Sequence, residues 1–158
     1  MMRTQMLHPQ LLAALAGAGH GAQVLIADAN FPASTARGSR ADVVHLNLVP
    51  GVVDAVTILR AVCDAVPVEE ARVMAPNIDG PYAMDHDPEI WGEFVDVLRA
   101  TGGPGDLARI ERMAFYEEAS RGDVALTIVS GETRLYANLL LRIGVVWPEG
   151  PEERTEAP

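Results

Sequence analysis

Read from its first residues, the chain alternates apolar runs with short polar breaks, and the period of each run predicts an element. Residues 8–17 carry Leu11, Leu12 and Leu15 at helical spacing behind Pro9, a residue suited to the first turn, and Gly17 and Gly19 close the helix. The continuous run QVLIADA (23–29) reads as a buried strand, and DVVHLNL (42–48), with partial alternation, as a second. Residues 51–66 place Val52, Val56, Leu59, Val62 and Cys63 on one helical face. ARVMAP (71–76) is a short strand closed by Pro76, and 77–86 is a loop. Asp87 then caps a helix that has Pro88 at its first position and buries Ile90, Trp91, Phe94, Val95 and Leu98. A strand over 109–115, a short helix over 116–122 and strands over 124–130 and 136–146 complete the pattern. Strands alternate with helices early and bunch late. That order predicts one α/β layered domain, residues 1–148, with a mixed sheet flanked by helices. The acidic, proline-rich tail 149–158 has no apolar face and is expected to be disordered.

Composition narrows the partners. The 158 residues hold 12 Lys and Arg against 22 Asp and Glu, a formal charge of −10. No basic stripe offsets it, so nucleic acid and anionic membrane surfaces are repelled. No apolar run approaches the ~20 residues of a membrane span, and the N-terminal stretch lacks a clean signal-peptide block, so a cytoplasmic protein is expected. The lone Cys63 allows no internal disulfide and reads as a core residue.

A few polar residues stand where the pattern calls for apolar ones. His20 lies between Gly19 and Gly21. It is either an exposed turn residue or a ligand-facing imidazole that the glycines leave accessible, able to exchange a proton near neutrality. Asp28 closes an apolar strand, where a charge is costly; it either caps the following backbone or meets a polar ligand. Tyr136 and Asn138, two apart, are expected on one face of the last strand, either as a wet face or as partners for hydroxyl groups. Arg112 and Tyr116 are further candidates, with a surface ion pair as the plainer reading of the arginine. His8, His45 and His86 lack supporting neighbours. Asp85, His86 and Asp87 carry metal-type side chains, but adjacent in a helix-capping loop they do not make a ligand set, and no metal is expected.

Taken together, GHGAQVLIADANFP, RMAFYEEA and SGETRLYANLLLRIGVV resemble the RbsD/FucU family of sugar mutarotases, from about Leu7 to Val146, with RMAFYEEA closer to the fucose branch. The resemblance implies an RbsD-like fold and a cofactor-free isomerase that interconverts monosaccharide anomers, L-fucose or a related sugar. It implies His20 as the catalytic histidine and Asp28, Arg112, Tyr136 and Asn138 as sugar-binding positions, with Tyr116 a further candidate. Opening the ring needs a second proton carrier, for which Tyr116 or Tyr136 is the candidate. It further implies a ring-shaped homo-oligomer, often a decamer, with sites at subunit boundaries. Interconversion of D-ribose ring forms, or sugar binding without catalysis, are the competing readings.

Overall fold

The computed structural model describes residues 5–148, so the expectation of a disordered tail at 149–158 lies outside the described residues. Four helices and six strands follow one another as α1 (Pro9–Gly17), β1 (Gln23–Ala27), β2 (Asp42–His45), α2 (Ala55–Ala65), β3 (Val68–Met74), α3 (Glu89–Ala100), β4 (Ala108–Ile110), α4 (Arg112–Ala119), β5 (Val124–Val129) and β6 (Leu139–Ile143). The strands form one mixed sheet in the order β2-β5-β1-β6-β3-β4. Five run parallel; β6 alone is antiparallel, wedged between β1 and β3. β1 is buried along its whole length, as its unbroken apolar run requires for a central strand. Its Leu25 and Ile26 join Leu126, Ile128, Leu139 and Leu140 of the neighbouring strands in the core. Helices α2 and α3 pack on each other, and Leu59, Val62, Phe94 and Leu98 carry their buried faces. Among the described residues, no helix is long and apolar enough to cross a membrane.

Helix ends follow side-chain chemistry more closely than apolar period. α1 begins at Pro9, with the His8 ring accepting from Leu11 N at 3.5 Å, which gives His8 a capping task. α2 begins at Ala55, four residues later than the apolar period suggested. Asp54 accepts from Thr57 N at 2.7 Å, and Val52 falls outside the helix, half exposed. The expected Asp87 cap is not made: Pro88 stands at the cap without a side-chain bond, while Asp87 pairs with Arg109 at 2.6 Å. β2 stops at His45, leaving Leu48 in the open, and β3 runs over 68–74 where 71–76 was expected. Cys63 is only partly buried.

Two differences matter for the site. The expected strand over 109–115 is a three-residue strand, β4, followed at once by α4. Glu111 accepts from Met113 N and Ala114 N at 2.8 and 3.2 Å and so starts the helix at Arg112. The last strand is also shorter than expected. Tyr136 lies in the left-handed region at φ 57°, so it turns the chain, and neither Tyr136 nor Asn138 lies on β6.

Candidate active site

In an open sheet of parallel strands, the crevice beyond their carboxyl ends is where ligands gather. β1 leads there into Asp28, β3 ends there at Met74, and β5 leads into Ser130. Because β6 runs the other way, its entry residues Tyr136 and Asn138 arrive at the same edge. A cavity of about 310 Å³ opens at this edge, at the small end of the ~300–1,000 Å³ typical of ligand pockets. Asp28, Asn30, Arg112, Tyr116 and Asn138 supply its polar lining. Phe31, Met74, Tyr82 and Leu135 supply its apolar part, and Tyr136 completes the wall.

Asp28 and Asn138 hold each other. The Asn138 Oδ1 accepts from Asp28 N at 2.9 Å, and its Nδ2 donates to Asp28 Oδ2 at 2.8 Å. The other carboxylate oxygen, Oδ1, accepts from Asn30 N at 2.9 Å, an Asx-turn that bends the chain into Phe31-Pro32. Backbone capping and cavity lining are therefore both true of Asp28. With about four acceptor sites, the carboxylate keeps one for a hydroxyl donor. Burial pushes the Asp28 carboxyl above its ordinary 3.8, against the hydrogen bonds from Asn30, Asn138 and Phe31 that favour the charged form. Nearby Glu132 adds a smaller push upward.

The early start of α4 brings the cation to the cavity. Arg112 and Tyr116 are one turn apart on the same helix face, with the guanidinium carbon 5.9 Å from the ring centroid. Hydrogen bonding with Tyr116 holds the guanidinium still more firmly in its charged form. Phe31 packs against Tyr116 with ring centroids 5.6 Å apart and against buried Phe115 at 6.4 Å, which fixes the helix against the turn after β1. Among the described residues no salt bridge to a carboxylate engages Arg112, so beyond its contact with Tyr116 the guanidinium has donors left to offer the cavity.

The Tyr136 hydroxyl is already committed. It donates to the Tyr82 carbonyl at 2.6 Å and accepts from Asn77 N at 3.1 Å. Behind it, Glu132 is buried and clasped by Arg134, with contacts of 2.9 and 2.8 Å from Nε and NH2. Burial opposes the charge on Glu132, but hydrogen bonds from Arg134 outweigh it and leave the carboxyl below its ordinary 4.5.

His20 is elsewhere. It precedes β1, at the amino edge of the sheet, and the five residues of β1 separate that edge from Asp28 by about 17 Å at ~3.3 Å per residue. Its side chain is 58% exposed, and its Nε2 lies 3.1 Å from Glu69 Oε2 at the start of β3. The glycines on either side do not curl the ring back to the cavity. It sits instead beside a broad groove of about 680 Å³ floored by small residues such as Ala14, Gly17, Gly122 and Ala125. One chain therefore brings five of the six expected residues together and leaves the sixth at the other end of the strand. Glu69, Asn30 and Tyr82 were not expected. Asn30 was legible as the second residue of an Asx-turn; Glu69 needed the strand order, since 49 residues separate it from His20.

Known proteins resemble the chain along nearly all of its length. The model of the RbsD / FucU transport protein family matches residues 1–146. The fucose mutarotase of Homo sapiens is 35% identical over 150 residues, 89% of this chain and 90% of that one. The fucose mutarotase of Danio rerio is 32% identical over 151 residues, covering 90% and 92%. Among solved structures, FucU from Bifidobacterium longum superposes with a TM-score of 0.73 at 33% identity, covering 89% of this chain and 95% of that one. The fucose mutarotase of Streptococcus pneumoniae in complex with L-fucose gives 0.76 at 25% identity, covering 93% and 100%. With the sheet order, the cavity and these matches in agreement, the chain belongs to the RbsD/FucU family.

Proposed function

We propose that the protein is a sugar mutarotase, an isomerase that interconverts the α and β anomers of L-fucose or a closely related monosaccharide. The observation that carries the reading is the small polar cavity in which Asp28, Asn138 and Arg112 present acceptors and donors suited to hydroxyl groups. Mutarotation opens a cyclic hemiacetal and closes it on the other face. A base takes the anomeric hydroxyl proton while an acid protonates the ring oxygen, and recyclisation reverses the exchange, so protons balance without a cofactor. Each well-placed proton carrier contributes on the order of 10²–10⁴-fold.

In this reading Asp28 and Asn138 accept from and donate to the sugar hydroxyls, and Arg112 donates to their oxygens. Tyr116 is the proton carrier within the cavity: the adjacent guanidinium stabilises negative charge as the phenolic proton leaves. His20 carries the other proton and comes from a second copy of the chain, since its own β1 holds it away from Asp28. Glu69, 3.1 Å from the His20 Nε2, orients the ring. A ring of copies supplies that arrangement, and the exposed Leu48 and Val146 favour burial between subunits. A cytoplasmic setting accords with the acidic surface and the free Cys63 thiol.

The test is anomer exchange followed by magnetisation-transfer NMR with L-fucose and with D-ribose. Faster exchange of L-fucose anomers supports the reading; acceleration of ribose ring-form exchange alone would transfer it to the pentose; binding without exchange would make the protein a sugar-binding accessory. Sharing of sites between copies is tested by reassembling His20→Ala and Asp28→Ala chains together. Each alone is inactive, whereas a one-to-one mixture regains up to about a quarter of the activity where sites are built across a head-to-tail interface. No regain places both groups on one chain.

A further inference from the structure

The segment 77–84 is folded on itself and fastened to the rest of the cavity by one phenol. Met84 N donates to Asn77 O at 3.0 Å and Ala83 N to Gly80 O at 3.2 Å, closing the loop. The Tyr136 hydroxyl then bridges its two ends, accepting from Asn77 N and donating to the Tyr82 carbonyl. Tyr136 is itself held: it sits at φ 57°, and its carbonyl accepts from the buried Trp91 Nε1 at 2.9 Å. The consequence is the placement of Tyr82, which lines the cavity although the residue is 57% exposed. Tyr82 joins Met74 and Leu135 on the apolar part of a lining whose polar part is Asp28, Arg112 and Asn138. A pyranose has the matching anatomy, with hydroxyls around its edge and C–H bonds on its faces. An aromatic ring beside the polar cluster loses contact with water when such a face covers it.

We propose that Tyr82 is the aromatic wall against which the C–H face of the sugar packs, and that Tyr136 is a positioning residue whose hydroxyl holds that wall in place. The inference rests on the cavity being the sugar site. It also removes Tyr136 from the proton path, because its single hydroxyl hydrogen is engaged by the Tyr82 carbonyl and moving it would release the segment.

The experiment is L-fucose anomer exchange measured over a range of sugar concentrations. Wild type is compared with Tyr82→Ala, Tyr82→Phe, Tyr136→Phe and the Tyr82→Ala/Tyr136→Phe double variant, and melting temperatures are recorded for each. Tyr82→Ala raises KM roughly tenfold with kcat falling less than about threefold, as loss of an aromatic contact made equally in ground and transition states requires. Tyr82→Phe returns KM to within about twofold of wild type, since the ring is retained. Tyr136→Phe raises KM in the same way, and the double variant is no worse than the poorer single one, because both remove the same wall. An unchanged KM in Tyr82→Ala overturns the proposal, and so does a Tyr136→Phe variant that loses kcat while keeping KM, which would mark a proton carrier. Tyr82 is exposed, so its variants stay informative even where Tyr136→Phe melts early. If wild type binds L-fucose without exchanging it, the mutarotase reading falls while the wall is still read from the Kd of the same variants; no binding at all overturns both.

Discussion

Replacing Asn138 with alanine removes both halves of the clamp on Asp28, and the cost can be built from its parts. The first loss is the Nδ2 hydrogen bond to the carboxylate at 2.8 Å; a bond to a charged group is worth about 1.5–3 kcal/mol. The second is the acceptor for Asp28 N at 2.9 Å. Water from the adjoining cavity can replace part of it, which holds that cost near 1 kcal/mol. The sum is about 2.5–4 kcal/mol, and at roughly 2–4 °C per kcal/mol for a domain of this size the Tm at neutral pH falls by about 5–15 °C.

The pH dependence gives a sharper check. The Asp28 carboxyl is raised above 3.8 in the folded chain, so the native state holds its proton more tightly than the unfolded one. Its contribution to stability is complete below 3.8 and is lost as pH rises through the folded value. Taking away the Asn138 donor raises the folded value further and deepens that loss. Thermal melts of Asn138→Ala and wild type should therefore diverge with rising pH. The gap at about pH 7 should be larger than that below pH 3.8, where a protonated Asp28 forfeits only a neutral hydrogen bond. A Tm drop below about 3 °C at neutral pH, or one equally large at both pH values, would refute the clamp as a charge-supporting device.

The behaviour of Glu132 should be opposite in sign. Its carboxyl is held below 4.5 by Arg134, so its contribution is present above 4.5 and lost as pH falls through the folded value. Glu132→Gln should lower stability by about 2 kcal/mol at neutral pH, discounted for the half-exposed Arg134, and flatten the acid limb of the denaturation profile. Gly38→Ala tests packing away from the cavity: an added Cβ would lie 2.7 Å from Arg121 O and 2.8 Å from Val124 O. A fall of about 1–3 kcal/mol in urea titration is expected, and a neutral result would show that this turn gives way freely.

Where the apolar period was long and unbroken, sequence and structure agree: α1, β1 and α3 lie within a residue or two of their expected ranges. The segment 109–119 shows what period alone misses. Met113 and Phe115 alternate as in a strand, yet Phe115 and Ala119 are buried four apart, and Glu111 satisfies two backbone N–H groups that a helix start leaves open. The cap decides. At Tyr136 the spacing of two to Asn138 was real, but a tyrosine at positive φ, bonded through Trp91, cannot be foreseen from spacing. His20 was legible as an exception to its surroundings. Whether the chain curls back through Gly19 and Gly21 to bring it to Asp28 was settled by the fold, in which β1 runs between β5 and β6 and separates the two.

That distance follows from topology. A parallel strand carries whatever precedes it to one edge of the sheet and whatever follows it to the other, so His20 and Asp28 are separated because both flank β1. The same rule brings Glu69 to His20, since β3 runs with β1, and brings Asn138 to Asp28, since β6 runs against it. Both pairings join residues remote in sequence, and each edge holds its own set of polar groups. The carboxyl edge carries Asp28, Arg112, Asn138 and the Tyr116 phenol; the amino edge has an imidazole backed by a carboxylate. No side-chain rotation spans a strand of five residues. In the proposed mechanism, where His20 carries one of the two protons, the strand order requires the amino edge of one copy to meet the carboxyl edge of another around the sugar, and assembly becomes a condition of full activity.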